Sequence, residues 1–248
     1  MSGYFALTKF RKNRKTAAVC VSGLFRCPHK LKENIESLKT HNPDYEFKLF
    51  VHLWEVNDYQ IIVNEHWRGD EAMDFKRGED VFNLDYLNPI DEIETLCIQP
   101  FQDSIDFLRR EHSQRNYTHD KRSGSQHDKV SALSMFYGIW RTNEMVREYC
   151  DKNDHTFDVQ IRMRTDLRFN DPICINKMAP DKVNVETGRR WRSGIPDCFA
   201  IGPQHLMHKY SQTFKQTDVL YHPETMLKVN CDRHNIPWVQ TYNVVIDR

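Results

Sequence analysis

Short apolar runs alternate with segments of helical periodicity along most of the chain. The run Ala17–Ser22 has the length and apolar character of a buried strand, and Leu31, Ile35 and Leu38 then recur at the spacing of one helix face. A second apolar run follows over Glu46–Trp54. Strand, helix and strand in this order predict a βαβ unit, whose two strands are parallel.

The same alternation continues to the end of the chain. It predicts further strands over residues 93–98, 157–164, 183–185 and 197–201, and helices over residues 129–149, 203–214 and 223–229. No internal repeat or clear linker divides the pattern. The sequence therefore predicts one α/β domain over residues 16–248, with a mostly parallel central sheet flanked by helices, after a basic N-terminal arm over residues 1–15.

Charge and cysteine content exclude several classes of protein. The 248 residues carry 35 basic and 35 acidic side chains, so no overall positive field attracts nucleic acid. The seven cysteines include no CxxC pair, which favours reduced thiols in a cytoplasm over disulfides or a structural zinc site. No window approaches about 18 consecutive apolar residues. We expect a cytoplasmic protein without a membrane span and without a nucleic-acid partner.

The first candidate site lies where the first predicted strand ends. Ser22 and Gly23 follow the apolar run directly, and Arg26 comes three residues later. Ligands of open parallel sheets bind at this end of the strands, where glycine lets backbone approach a ligand and arginine binds phosphate. An ordinary tight turn with a surface arginine is the alternative. Neither the dinucleotide-binding nor the P-loop glycine pattern is present.

The second candidate site is the polar set that ends the strand predicted over residues 157–164. Alternation along an extended chain places Arg162, Arg164 and Asp166 on one face. Two guanidinium groups beside a carboxylate suit a diphosphate with a divalent cation, because arginine donates to phosphate oxygens and aspartate ligates Mg²⁺ or Mn²⁺. A structural Arg–Asp network at a strand end is the alternative.

Two further residues offer acid–base or metal chemistry. Asp197 begins an apolar run, where partial loss of hydration suits a carboxylate to act as a general base. His222 stands directly before the helix predicted at Pro223, where an imidazole could ligate a metal. A helix-cap or turn role for Asp197, and ordinary helix electrostatics at residues 222–224, remain open.

These segments together resemble the nucleotide-sugar glycosyltransferases of the GT-A fold, in particular small bacterial and large-virus enzymes of polysaccharide or glycan synthesis. The resemblance rests on the order of residues 19–26, 47–54, 134–137, 158–166 and 196–202. It implies a single Rossmann-like GT-A domain and a UDP-, GDP- or dTDP-linked sugar donor. It also implies a glycan or polysaccharide acceptor, Mn²⁺ or Mg²⁺ as cofactor, and the cytoplasm of a bacterium or of a phage- or virus-infected host cell.

The resemblance assigns roles to most of the candidate residues. It places Ser22, Gly23, Arg26 and Arg162 around the donor nucleotide, Asp166 at the metal and Asp197 as the acceptor-side base. Together with the residue patterns above, the expected donor-binding set is Ser22, Gly23, Arg26, Arg162, Arg164 and Asp166, and the expected metal ligands are Asp166 and His222. The chain departs from the family's DxD motif, because Arg164 stands where the first aspartate would be. A non-catalytic nucleotide- or glycan-binding domain of the same fold, and a sugar nucleotidyltransferase, remain the alternatives.

Overall fold

A largely parallel sheet runs through the centre of the structure. The computed structural model describes residues 14–24, 28–55, 85, 87–100, 107, 110, 118–119, 129–187, 194–216, 219–220 and 223–246. Within these residues, seven strands form the central sheet in the order β10-β7-β8-β5-β1-β2-β3, and only β8 runs antiparallel to its neighbours. The α/β class with a mostly parallel sheet flanked by helices is confirmed.

The strands and helices have the following bounds. The strands are β1 (Lys15–Leu24), β2 (Tyr45–Glu55), β3 (Ile93–Pro100), β4 (Thr118–His119), β5 (Val159–Met163), β6 (Leu167–Phe169), β7 (Val183–Glu186), β8 (Phe199–Gly202), β9 (Val219–Leu220), β10 (Trp238–Tyr242) and β11 (Val244–Ile246). The helices are α1 (Pro28–His41), α2 (Lys129–Asn153), α3 (Gln204–Ser211), α4 (Thr213–Gln216) and α5 (Pro223–Arg233). A short 3₁₀ turn covers Ile175–Lys177.

Helices cover both faces of the sheet, which explains why its central strands are apolar on each side. Ala17, Val19 and Val21 of β1 point to the face where α1 buries its apolar positions. Ala18 and Cys20 point to the opposite face, beneath α2. A strand buried on both faces reads as a continuous apolar run, which is the pattern that marked β1 in the sequence.

The packing of α1 shows how its periodic pattern is used. Leu31, Ile35 and Leu38 lie on one side of the helix and are at most 2% exposed. Each such side chain contributes about 1.5–3 kcal/mol when it is fully buried. Asn42 follows the helix, and its side-chain amide donates to the carbonyls of Leu38, at 2.8 Å, and Ile173, at 2.7 Å. The amide therefore caps the helix and fixes its C-terminus to the loop that contains Ile173.

Several elements differ from the sequence prediction. The strand predicted over residues 157–164 is shorter, because β5 covers Val159–Met163. The helix predicted over residues 203–214 is interrupted at Gln212 and continues as α4. The pattern did not predict β10, the edge strand of the central sheet, or the pair formed by β6 and β11. Residues 1–13 lie outside the described residues, so the arm over residues 1–15 and the domain over residues 16–248 stay predictions.

Candidate functional site

The carboxyl ends of the parallel strands form the edge at which the candidate residues meet. Val21 of β1 lies opposite Met163 of β5, so the residues that follow the two strands are neighbours. The hydroxyl of Thr165 donates to the carbonyl of Leu24 and ties the two segments together. The end of β1 that carries Gly23 and the Arg–Asp segment, which are about 140 residues apart in sequence, therefore share one edge.

The reversed direction of β8 brings a third segment to this edge. Met163 of β5 lies opposite Phe199, the first residue of β8. Because β8 is antiparallel, its amino end faces the same way as the carboxyl ends of the parallel strands. Asp197 precedes β8 by two residues and so lies near the end of β5. The sheet thus brings together the three segments that the sequence nominated separately.

Ser22 and Gly23 end β1 in different environments. Ser22 is 3% exposed and lies under α2, where a Cβ on Gly138 would come within 3.1 Å of the Ser22 Cβ. Gly23 has a φ of 130°, which side-chain-bearing residues rarely adopt. The turn expected at this glycine is wrong, because β1 continues to Leu24 and Gly23 lies opposite Leu53 of β2. The donor-binding role of both residues stays a prediction, and Arg26 and His222 lie outside the described residues.

Arg164 and Asp166 form a two-point ion pair. The Arg164 Nε donates to Asp166 Oδ1 at 2.8 Å, and its Nη2 donates to Oδ2 at 2.6 Å. The Arg164 side chain is 23% exposed, whereas that of Asp166 is 3% exposed. Burial alone would lower the pKa of Arg164, but the neighbouring Asp166 raises it above its ordinary value. The pair therefore stays charged, and its arginine end reaches solvent.

Arg162 is buried and points towards the segment that begins β8. It is 1% exposed, and its Nη1 donates to the carbonyl of Cys198. Its Nε and Nη2 have no hydrogen-bond partner among the described residues. The expected alternation of Arg162, Arg164 and Asp166 along one strand is wrong in its geometry, because β5 ends at Met163 and residues 164–166 leave the strand.

Glu186, Asp197 and Cys198 form a compact group beside these arginines. One ligand atom from each of the three lies within 4.8 Å of the others, so the group could hold a metal ion. Burial, and then the charge of Asp197, raise the pKa of Glu186 from 4.5 to about 7. Burial likewise raises the pKa of the Cys198 thiol well above its usual value, so this sulfur stays protonated near neutral pH.

The sequence did not nominate Glu186. The predicted strand over residues 183–185 stopped one residue short of it, and a single acid after an apolar run is a common strand terminus. The groups around Glu186 come from another part of the chain, since its two carboxylate oxygens accept the backbone N–H groups of Cys198 and Phe199. The local sequence shows only that an acid stands at the end of a strand, and it does not show which groups that acid contacts.

His52 and Trp54 belong to the core of the α2 side of the sheet. His52 is fully buried, and burial lowers its pKa from 6.5 to about 4. Trp54 is 2% exposed, and its ring packs 5.4 Å from that of Tyr137. Tyr137 in turn lies 5.3 Å from Phe214. These aromatic rings lie beneath the edge, and their packing fixes the distance between α2 and the strands β1 and β2.

Comparisons with known proteins give only a distant likeness. No protein-family model matches the chain, and no curated protein matches its sequence. The structure is similar to that of mouse xyloside xylosyltransferase 1 in its apo form, with 8% sequence identity and a TM-score of 0.39. The match covers 92% of this chain and 84% of the mouse chain. At this distance the likeness carries no argument about activity, donor or acceptor.

None of the helices in the described part of the chain is both long and apolar enough to cross a bilayer. The longest of them, α2, carries charged side chains on its outer surface, among them Arg141 and Glu148, which are paired at 2.9 Å.

Proposed function

We propose that this protein is a glycosyltransferase that moves a sugar from a nucleoside-diphosphate sugar to a hydroxyl group of a glycan or polysaccharide. The convergence of Gly23, Arg164 and Asp197 at one edge of the sheet carries the proposal. Among the described residues, it supplies a glycine backbone with open space beside it for close approach of a ligand, a guanidinium that reaches solvent, and a carboxylate that can act as a base.

Arg164 is the described residue best suited to bind the diphosphate. Its ion pair with Asp166 uses the N–H of Nε and one N–H of Nη2. A guanidinium has five N–H donors, so three remain for other acceptors. The ion pair also fixes the plane of the group, which lowers the entropy lost when a phosphate binds. In this proposal Arg164 receives the negative charge that develops on the departing nucleoside diphosphate.

The charge count at the edge supports a role for a divalent cation. Two arginines, Arg162 and Arg164, and two aspartates, Asp166 and Asp197, stand near this edge, and burial raises the pKa of Glu186 to about 7. The described groups therefore sum to about zero, and a diphosphate would add negative charge that they do not balance. We propose that Mn²⁺ or Mg²⁺ balances the negative charge of the diphosphate.

Asp166 and His222 would hold the cation. The Asp166 carboxylate fits such an ion in kind, because Mn²⁺ and Mg²⁺ prefer hard oxygen ligands such as carboxylates. A bound cation would neutralise the diphosphate. The group formed by Glu186, Asp197 and Cys198 is the other place where the described residues could hold one.

Asp197 is proposed as the base that removes the proton of the acceptor hydroxyl. A sugar hydroxyl is a weak nucleophile and needs a carboxylate at hydrogen-bond distance, about 3 Å. Direct attack by that hydroxyl on the anomeric carbon would invert its configuration. The C–O bond to the diphosphate breaks as the new glycosidic bond forms, and the proton passes to Asp197.

Nucleotide titration with thermal unfolding tests the donor site. UDP, GDP or dTDP at a hundred times its Kd should stabilise the protein by about 2.7 kcal/mol. For a chain of 248 residues this corresponds to a rise in Tm of roughly 5–11 °C. The experiment is run with Mn²⁺ and with a chelator. Absence of a shift with every nucleotide in both conditions would remove the donor site.

Three variants then separate an enzyme from a binding domain. Asp197→Asn should keep nucleotide binding and lose sugar transfer, whereas Asp166→Ala should lose the part of binding that depends on Mn²⁺. Asp171→Asn is the matched control, since Asp171 is exposed and lies outside this edge. Wild-type rates in Asp197→Asn would rule out Asp197 as the base.

The second candidate function is a nucleotide- or glycan-binding domain without turnover. The ion pair of Arg164 with Asp166 favours it, because it engages the carboxylate that the DxD resemblance assigns to the metal. Nucleotide binding by the wild-type protein, together with no donor hydrolysis or transfer under any cation, would establish this second function.

A further inference from the structure

The peptide that follows Asp197 is held from both sides by buried side chains. Glu186 Oε1 accepts the N–H of Cys198 at 2.9 Å, and Oε2 accepts the N–H of Phe199 at 2.9 Å. On the other side, Arg162 donates to the carbonyl of Cys198. Hydrogen bonds therefore hold two N–H groups and one carbonyl of the backbone that follows Asp197.

The chain is also fixed on the amino side of Asp197. The N–H of Ile195 donates to the carbonyl of Glu224 at 2.9 Å. Gly194 lies so close to α5 that a Cβ at this position would come within 2.6 Å of the Glu224 backbone. Asp197 thus sits on a short segment with an anchor at residues 194–195 and another at residues 198–199, and its carboxylate has little freedom to shift with the backbone.

A buried glutamate is an unusual group to hold the backbone of residues 198–199. Glu186 ends β7, and it is only 4% exposed. Backbone N–H groups at the start of β8 could be satisfied by a neighbouring strand or by water at a lower cost in desolvation. The chain instead places a buried carboxylate there, and its two oxygens each accept one of these N–H groups. A costly group in this position is expected when a fixed geometry matters for function.

We infer that Glu186 is a positioning residue that sets the direction of the Asp197 carboxylate through the backbone of Cys198 and Phe199. This inference rests on the proposed function, because Asp197 needs a fixed direction only if it meets a reacting hydroxyl. A displacement of about 1 Å in a catalytic group lowers a rate by about 10²-fold. Glu186 touches neither donor nor acceptor in this role, so it affects the rate through Asp197.

Glu186→Gln is the informative variant because it keeps the shape of the side chain. Its amide oxygen accepts one of the two N–H groups, while its NH₂ group faces the other N–H and repels it. Glu186→Ala removes both acceptors and serves as the second variant. Glu148→Gln on α2 is the matched control, since Glu148 is exposed and lies outside this segment.

The experiment measures kcat, the donor KM, the Kd of UDP, GDP or dTDP, and the Kd of Mn²⁺ for the wild-type protein and the three variants. We expect Glu186→Gln to lower kcat about 10²-fold, with donor KM and nucleotide Kd within twofold of wild type. Glu148→Gln should match wild type in all four. Amide exchange followed by NMR should show faster exchange at Cys198 or Phe199 in Glu186→Gln, which reports the lost anchor independently of activity.

Each contrary result has its own meaning. Wild-type kcat in Glu186→Gln overturns the inference and leaves the proposed function intact. A loss of Mn²⁺ affinity with kcat restored at high Mn²⁺ makes Glu186 a metal ligand and also overturns it. Equal losses in kcat and nucleotide binding indicate general damage to the site and overturn it as well. A wild-type protein without transfer removes the proposed function and this inference together.

Discussion

The ion pair between Arg164 and Asp166 makes a quantitative prediction about stability. Replacing Arg164 by Met removes both donors from a carboxylate that is 3% exposed. Breaking a buried pair by deleting one partner costs about 3–5 kcal/mol, because the remaining charge stays buried and loses its counter-ion. For a chain of 248 residues this corresponds to a fall in Tm of roughly 6–20 °C.

The reverse deletion should cost less. Asp166→Asn leaves a guanidinium whose side chain is 23% exposed, so water can replace part of what the carboxylate supplied. The order of the two losses therefore follows from the unequal burial of the partners. The double variant Arg164→Met/Asp166→Asn should be more stable than Arg164→Met alone, because no buried charge is left without a partner.

Urea unfolding at pH 7 measures all three variants, with Arg168→Met as the control because Arg168 is exposed on β6. A cost below about 1 kcal/mol for Arg164→Met is the value of an ordinary surface pair. That result would refute the reasoning, and so would a larger loss in Asp166→Asn than in Arg164→Met.

Further predictions concern groups whose surroundings the structure defines. Burial and Asp197 raise the pKa of Glu186 from 4.5 to about 7, so stability should fall by up to about 3 kcal/mol as pH rises through this interval. The lowered pKa of His52 makes stability rise with pH over the same interval, so the wild-type protein is compared with Glu186→Gln. In urea unfolding at pH 4.5 and 8, the wild-type protein should lose up to about 3 kcal/mol relative to that variant as pH rises. Burial lowers the pKa of His52 to about 4, so its ring resonances should not shift in an NMR titration between pH 5.5 and 8. Gly194→Ala places a methyl group 2.6 Å from the Glu224 backbone and should destabilise the fold by about 1–3 kcal/mol in the same unfolding assay; an unchanged midpoint would contradict this packing.

The opening βαβ unit could be predicted because its signals are local. The apolar run of β1, the periodic positions of α1 and the run of β2 each lie within a short window, and the structure confirms all three elements. The strand β10 gave no such signal. It is the edge strand of the sheet and four of its five residues are only partly buried, so its sequence carries no clear alternation.

The candidate site was predictable only in its parts. The sequence placed Gly23, Arg164 and Asp197 at ends of strands, and the confirmed strands put them at one edge. The predicted placement of Arg164 and Asp166 on one strand face with Arg162 was wrong, because the alternation was continued past the true end of β5. Where a strand stops depends on its pairing with neighbours, which a single segment does not record.

The sequence by itself determined the opening βαβ unit and the long helix α2, because these elements follow from apolar periodicity over a few residues. It also determined which residue types stand at the ends of the strands. Only the tertiary structure decided that β8 runs antiparallel and that Glu186 supports the segment carrying Asp197. These outcomes depend on hydrogen bonds between residues that meet only after the sheet has assembled, and no local pattern encodes such bonds.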